Sequence, residues 1–257
     1  MAAPPPPLSL VIQRLLAPEL DITTCEFRGM RVLVRADLNV PLAGDGTVSD
    51  RERVDAALPT LRSLAGAGAR VVVASHLGRP EPGKEPEEEM RRRDSLRPVA
   101  ALLAEALGDA FAGLADDCVG PSARAMVVCL QDGQARAQRR CSLLGIVLNE
   151  WRCRGIRTAR THLQVCLLEN TRFEAGDVKD APALAAELAA LCDAYVLDGF
   201  GVCHRGQASV SGVARCLPPG CRFPGPLVRR ELHFLGAALD APARPFAVVL
   251  GGMKARV

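Results

Sequence analysis

The chain alternates short, wholly apolar segments with helix-like ones, and this alternation limits its possible folds more than any other feature. Each apolar segment is rich in Val, Leu and Ala and lacks the polar–apolar alternation of a strand with one solvated face. Such strands are buried on both sides, which requires helices on both faces of a parallel sheet. The pattern predicts a three-layer, Rossmann-like α/β domain with a mostly parallel sheet. Predicted strands span residues 30–38, 69–76, 165–173, 194–201 and 244–252, and predicted helices span residues 50–68, 95–108 and 181–192.

Polar residues stand at the carboxyl end of each predicted strand. In parallel sheets these ends meet at one edge, where ligands bind. The five strands deliver, in order, Asp37 and Asn39; Ser75, His76 and Arg79; Glu169, Asn170 and Arg172; Asp198, His204 and Arg205; Gly251, Gly252 and Lys254.

The arginines in this set indicate a site for a small anion. Arg79, Arg172 and Arg205 follow strand ends, and Arg53 lies in the first helix or at its start. A guanidinium is a planar fork of donors that matches carboxylate and phosphate oxygens, whereas several forks repel one another when no anion lies between them. Asp37 and Asn39 either form a turn before Pro41 or serve the site, with Asp37 then holding these arginines in place or accepting a hydrogen bond from a substrate hydroxyl.

Composition disfavours several other classes of protein. The ten cysteines include no CxxC pair, which favours reduced cytosolic thiols over zinc or disulfides, and no apolar run reaches the length of a membrane helix. The net charge of +3 arises locally, because residues 135–164 hold seven arginines and one acid. Neither nucleic acid nor membrane is therefore expected as a partner. The expected location is the cytoplasm, with organellar targeting left open by the Pro-rich start.

Two segments match nucleotide-binding motifs only in part. Residues 78–85 have the Gly and Lys spacing of a phosphate-binding loop, but Glu85 stands where the magnesium-binding Ser or Thr belongs. Pro80 and Pro82 also remove two backbone N–H groups from that loop. The segment GFGVCHRG follows a strand, but its third glycine is misplaced for a dinucleotide fingerprint, which disfavours a dehydrogenase.

Seven segments, in order from about residue 31 to residue 254, resemble the signature segments of phosphoglycerate kinase. They read RVLVRADLNVPL, ERVDAALPTL, SHLGRP, SLRPVAALL, LLENTRF, DGFGVCHRGQAS and RPFAVVLGGMK. The resemblance implies phosphoryl transfer between 1,3-bisphosphoglycerate and ADP, giving 3-phosphoglycerate and ATP, with Mg²⁺ as the nucleotide's cofactor, in glycolysis or carbon fixation. It also implies a monomer. The acceptor is a carboxylate that is already ionised, so the chemistry needs positioning and positive charge rather than a general base.

The resemblance also assigns roles to individual residues. It implies that Arg53 and Lys254 are catalytic, and that Gly251, Gly252 and Lys254 contact the nucleotide. The substrate-binding residues that it implies are Asp37, Leu38, Asn39, Arg53, His76, Leu77, Gly78, Arg79, Arg172 and Arg205.

The sequence departs from the family pattern in several places. Residues 1–250 correspond to the N-terminal, phosphoglycerate-binding domain and 251–257 to the start of the linker, so the domain that binds nucleotide and Mg²⁺ is expected to be absent and the chain alone inactive. Residues 135–164 form an atypical insertion, either translated intron or family-foreign sequence. Gln207 and Gly199 replace a usual histidine and a usual alanine. The alternative function is a non-catalytic, truncated phosphoglycerate-binding module.

Overall fold

The computed structural model describes residues 8–131, 163–240 and 244–249, which form an α/β domain around a parallel sheet. The described residues contribute six strands, in the order β3-β4-β2-β1-β5-β6, and every neighbouring pair is parallel. The predicted parallel sheet is confirmed. The strands are β1 (Arg31–Ala36), β2 (Arg70–Ala74), β3 (Phe111–Leu114), β4 (Val165–Leu167), β5 (Ala194–Asp198) and β6 (Arg222–Pro224).

Helices cover both faces of this sheet and make it the middle of three layers. In the described chain they are α1 (Leu8–Leu15), α2 (Glu52–Gly66), α3 (Glu87–Asp94), α4 (Arg97–Leu107), α5 (Pro121–Gln131), α6 (Ala175–Val178), α7 (Pro182–Ala190), α8 (Val213–Cys216) and α9 (Pro226–Asp240). Helices α2 and α4 contribute to one apolar core, whereas α5 and α7 contribute to the other. The predicted three-layer architecture is therefore confirmed.

Strand β1 lies at the centre of the sheet and shows why its sequence is apolar on both sides. Val32 and Val34 belong to the core under α2 and α4, and Leu33 belongs to the core under α5 and α7. Side chains of a strand alternate between faces, so Arg35 points to the same face as Leu33. Arg35 is fully buried nonetheless, which is costly for a charged group unless its donors are paired.

The start and end of α2 follow from short-range chemistry. The carboxylate of Asp50 accepts a hydrogen bond from the backbone N–H of Glu52 at 2.8 Å, which satisfies one of the free donors of the first turn. Asp50 therefore supports the start of the helix, although Arg51 occupies the N-cap position itself. Gly68 follows the helix with a φ of +82°, a conformation that glycine adopts without steric cost.

The predicted fifth strand, over residues 244–252, is wrong in the part that the structure describes. Residues 244–249 form no strand, and Val248 and Val249 are exposed. The place beside β5 is taken by β6, which pairs with Tyr195 through Leu197. β-propensity alone does not make a strand when no neighbouring strand supplies hydrogen-bond partners. Strands β3 and β6 were not predicted, since both are only three or four residues long and β6 ends in a proline at the sheet edge.

Two further expectations can be compared with the fold. Most cysteines of the described chain are free thiols, but Cys129 forms a disulfide, so the expectation of reduced thiols throughout is wrong at that position. No helix among the described residues combines the length and apolar character needed to cross a membrane. The proposed insertion lies almost entirely outside the described residues.

Candidate functional site

The loops that follow β1 and β2 are tied together by hydrogen bonds from one loop to the other. The backbone N–H of Leu38 donates to Ser75 Oγ at 2.9 Å, and the backbone N–H of Gly78 donates to Asn39 Oδ1 at 2.8 Å. The side chains of Leu38 and Leu77 are buried in the core beneath these loops. Of the predicted substrate residues, these two leucines therefore anchor the loops and do not present side chains to a ligand.

Asn170 joins a third loop to the same structure. Its Nδ2 donates to the carbonyl oxygens of Leu77 and Asp94, both at 2.8 Å, and its Oδ1 accepts from the backbone N–H of Arg172 at 3.1 Å. The Asn170 side chain is fully buried. Hydrogen bonds made in a dry environment fix geometry strongly, because breaking them strands buried polar groups. One amide thus sets the position of Arg172 relative to the loop after β2.

Gly78 adopts a backbone conformation that only glycine fits at this point. Its φ is +62°, and a Cβ placed on it would lie 2.3 Å from Asp94 Oδ1. The carbonyl oxygen of Gly78 accepts a hydrogen bond from Arg172 NH1 at 2.5 Å. The glycine therefore lets the loop pass close to Asp94 while it holds one arm of the Arg172 guanidinium.

The site brings together four arginines, Arg53, Arg79, Arg172 and Arg205, which we call the arginine cluster. Burial lowers the pKa of Arg172 most, and the positive charges of Arg205, Arg35 and Arg79 lower it further, whereas Asp177 raises it. Within the described residues, Arg79, Arg172 and Arg205 form no ion pair, and the buried Nε of Arg172 has no hydrogen-bond partner. Like charges held together in this way favour an anion between them.

Arg53 differs from the rest of the cluster because it has an acidic partner. It lies in the first turn of α2, and its NH1 is 2.5 Å from Asp37 Oδ2. Arg53 is about half exposed, at 49%, so the pair aims the guanidinium at the site edge and contributes little to stability. Of the two roles left open for Asp37, this geometry favours holding an arginine in place.

His76 occupies the floor of the cluster and is 4% exposed. Burial lowers its pKa most, and the charges of Arg35, Arg172, Arg205 and Arg53 lower it further, to about 2. Its imidazole is therefore neutral at physiological pH. Its proximity to Arg172 and Arg205 agrees with the prediction that the carboxyl ends of these strands meet at one edge of the sheet.

Sequence reasoning missed one residue of the site, Arg35. The distance between Arg35 NH2 and His76 Nδ1 is 3.2 Å. The sequence pattern places Arg35 within an apolar strand. A charged residue inside a segment otherwise composed of buried aliphatic residues was the signal that could have identified it. Burial lowers the pKa of Arg35, and the charge of Asp177 opposes that shift most.

Asp198 and His204, also predicted at the strand ends, do not join the cluster in the same way. Asp198 is buried, and its carboxylate accepts from Thr60 Oγ1 at 2.5 Å and from the backbone N–H of Leu227 at 2.9 Å, so it ties β5 to α2 and α9. His204 is exposed on the loop after β5. Gly251, Gly252 and Lys254 lie outside the described residues.

A Mg²⁺ site needs several oxygen donors, chiefly carboxylates, close together among the described residues. These residues contain no group of three or more His, Cys, Asp or Glu side chains placed to hold a metal ion. Asp37 is paired with Arg53, and Asp177 accepts from the backbone N–H of Ser209 through Oδ1, while its buried Oδ2 has no hydrogen-bond partner. The residues described therefore do not fit a Mg²⁺ site, and the chemistry below includes no step through the metal.

Comparison with known proteins identifies the family. The phosphoglycerate kinase family profile matches residues 22–136 and 150–256. A phosphoglycerate kinase from Acaryochloris marina is 41% identical over 91% of this chain and 49% of its own length, and one from Rhodospirillum centenum is 44% identical over 88% and 47%. The structure of phosphoglycerate kinase from Coxiella burnetii matches with a TM-score of 0.62 and 33% identity, covering 89% of this chain and 47% of that one.

The chain spans about half the length of the curated relatives it matches. The family profile resumes at residue 150, within the stretch expected to be foreign to the family. With matches over most of its length, the chain belongs to the phosphoglycerate kinase family.

Proposed function

We propose that this chain forms the acid-substrate half of a phosphoglycerate kinase and binds 3-phosphoglycerate or 1,3-bisphosphoglycerate in the arginine cluster. The observation that carries the proposal is the gathering of Arg172, Arg205 and Arg79 without ion-pair partners among the described residues, next to a neutral His76. A three-carbon acid phosphate carries negative charge at both ends, which suits a cluster spread over several loops.

The site residues would divide the work according to their surroundings. The largely buried Arg172 and the exposed Arg205 and Arg79 offer guanidinium forks to the phosphate. Arg53, oriented by Asp37, would stabilise negative charge on the group in transfer, since phosphoryl transfer gains chiefly from positioning and charge. The bond formed joins a carboxylate oxygen to phosphorus, and the bond broken joins that phosphorus to the leaving nucleotide oxygen.

The nucleotide side of the proposal rests on the family. Gly251, Gly252 and Lys254 are proposed to contact the nucleotide, and ATP or ADP with Mg²⁺ is proposed as the second substrate. The proposal includes the reversible reaction that yields 3-phosphoglycerate and ATP. A cytoplasmic monomer is proposed on the same basis. The boundary at residue 250 and the insertion at about 135–164 remain part of this proposal.

Calorimetric titration with 3-phosphoglycerate tests the substrate assignment. Arg172→Ala and Arg205→Ala should each weaken binding by about ten- to a hundredfold, the loss of a charge-assisted hydrogen bond. Arg28→Ala is the matched control, because Arg28 is exposed and precedes β1, at the opposite edge of the sheet. No binding by the unaltered chain, or equal losses in all three variants, would overturn the proposal.

A coupled assay with ATP and 3-phosphoglycerate separates catalysis from binding alone. Turnover by this polypeptide would exclude the non-catalytic alternative. Binding without turnover would support the assignment of the arginine cluster and leave that alternative standing. Both alternatives predict the same response to the arginine substitutions, so the two experiments are needed together.

A further inference from the structure

We propose that Arg35 is a positioning residue that locks His76 in the tautomer whose Nε2 carries the hydrogen, so that His76 serves the site as a neutral N–H donor. The inference deepens the proposed function and rests on it for the identity of the anion. It stands on the geometry of a fully buried guanidinium and a nearly buried imidazole.

The contact between the two side chains fixes the tautomer by elimination. Arg35 NH2 lies 3.2 Å from His76 Nδ1. A guanidinium has donors but no acceptor, so Nδ1 must accept and cannot carry hydrogen. The hydrogen of the neutral ring is therefore on Nε2, which has no hydrogen-bond partner within the described residues and is not among their buried unpaired atoms. Nε2–H is left available to an acceptor such as a phosphate or carboxylate oxygen.

Arg35 is itself held from three sides, which makes it a rigid support. Its Nε donates to Ser209 Oγ at 3.1 Å, and its NH1 donates to the carbonyl oxygen of Ala36 at 2.5 Å. Ser209 is in turn fixed, because its backbone N–H donates to Asp177 Oδ1 at 2.9 Å and its carbonyl oxygen accepts from the Tyr195 hydroxyl at 3.1 Å. The buried π-helical turn Ala208–Gly212 contains this serine.

The groups that face His76 explain why a neutral donor suits this position. Arg35 approaches from β1, Arg53 from α2, Arg172 from the loop after β4 and Arg205 from the loop after β5, and all four are cations. A protonated imidazole among them would add repulsion, whereas a neutral ring still contributes a directed N–H bond. Burial and the charges of the four arginines keep this ring neutral, and Arg35 fixes which of its nitrogens donates.

Nitrogen-15 NMR of the ligand-free chain tests the tautomer without reference to any substrate. Long-range correlation of the ring protons should show His76 Nδ1 as an unprotonated nitrogen and Nε2 as a protonated one from about pH 5 to about pH 8. The His76→Gln variant lacks these ring signals, which assigns them to His76. Arg35→Met should mix the two tautomers, and Arg35→Lys should do so too, because the shorter lysine side chain does not carry its ammonium to the position that Arg35 NH2 occupies beside Nδ1.

The binding of 3-phosphoglycerate provides the second readout. Arg35→Met and Arg35→Lys are both expected to weaken it by at least about tenfold, the scale for a misdirected hydrogen bond to a charged group. Arg31→Met is the matched control, since Arg31 lies at the other end of β1 and pairs with Asp193 on the surface. It should preserve both the tautomer and the affinity.

The outcomes separate this inference from the function on which it rests. A wild-type spectrum with hydrogen on Nδ1, or a titrating ring near neutral pH, overturns the inference even if no variant folds. Wild-type affinity in Arg35→Lys would show that charge alone matters and would also overturn it. A locked Nε2–H tautomer with no binding of 3-phosphoglycerate would leave the Arg35–His76 relationship intact and defeat the proposed function instead.

Discussion

The low pKa of His76 makes the stability of the fold depend on pH in a way that one substitution isolates. The ordinary value of 6.5 applies to the unfolded chain, and burial next to four arginines lowers the folded value to about 2. Because the folded value is lowered, the full stability is present above about pH 6.5 and is lost as pH falls, when only the unfolded chain takes up the proton. The loss is about 1.4 kcal/mol per pH unit below that value, hence about 2 kcal/mol between pH 7 and pH 5.

Urea unfolding followed by circular dichroism at several pH values measures this loss. His76→Gln removes the ionisable group, so the free energy of unfolding of the wild type should fall relative to that variant by about 2 kcal/mol across the interval. Carboxylates with lowered pKa values, such as Asp21 and Asp193, are present in both proteins and cancel. His204→Gln, at an exposed position, should retain the wild-type dependence. Parallel curves for wild type and His76→Gln would refute the reasoning.

Three further predictions concern the residues that hold the site loops. In urea titrations, Gly78→Ala should lower the free energy of unfolding by about 2–3 kcal/mol, because φ is +62° at this position and the new Cβ would meet Asp94 Oδ1. The control is Gly44→Ala, whose Cβ would enter open space and which should change the free energy of unfolding by less than about 0.5 kcal/mol. Asn170→Asp should cost at least about 2 kcal/mol, because a carboxylate cannot donate to the two carbonyl oxygens that the amide serves; equal stability would contradict this. Burial raises the pKa of Asp198. The free energy of unfolding of the wild type should therefore fall relative to that of Asp198→Asn as pH rises from about 4 through the raised pKa. A difference between the two proteins that does not change with pH would exclude the effect.

The sequence predicted the parallel sheet because its main strands are long enough to show burial on both faces, as β1 and β2 do. It did not predict β6, which is three residues long and is a strand only because β5 lies beside it. It placed a strand at residues 244–252 on propensity, but Val249 in the described part is 94% exposed and has no strand neighbour there. Short strands depend on tertiary contacts that a local pattern does not contain.

The same distinction holds for the site. Arginines at strand ends could be predicted, because topology brings the carboxyl ends of parallel strands to one edge. The residues that hold these arginines in place could not be predicted. The sequence indicates Asn170 only as a polar residue at a strand end, and Arg35 only as part of a buried strand. Their roles depend on contacts between residues far apart in the chain, 93 positions for Asn170 with Leu77 and 41 for Arg35 with His76. Chain order does not encode those distances.

Whether the arginine cluster binds the anion is best decided by an NMR titration that observes the arginine side chains themselves. Nitrogen-15 spectra of the Nε–H groups should be recorded as 3-phosphoglycerate is added, with Arg172→Lys and Arg205→Lys used for assignment. Saturable shifts are expected for the Arg172 and Arg205 signals and for the backbone amides of Gly78 and Arg79. Absence of any shift, or shifts confined to exposed arginines at the opposite edge of the sheet, such as Arg28, would contradict binding by the cluster.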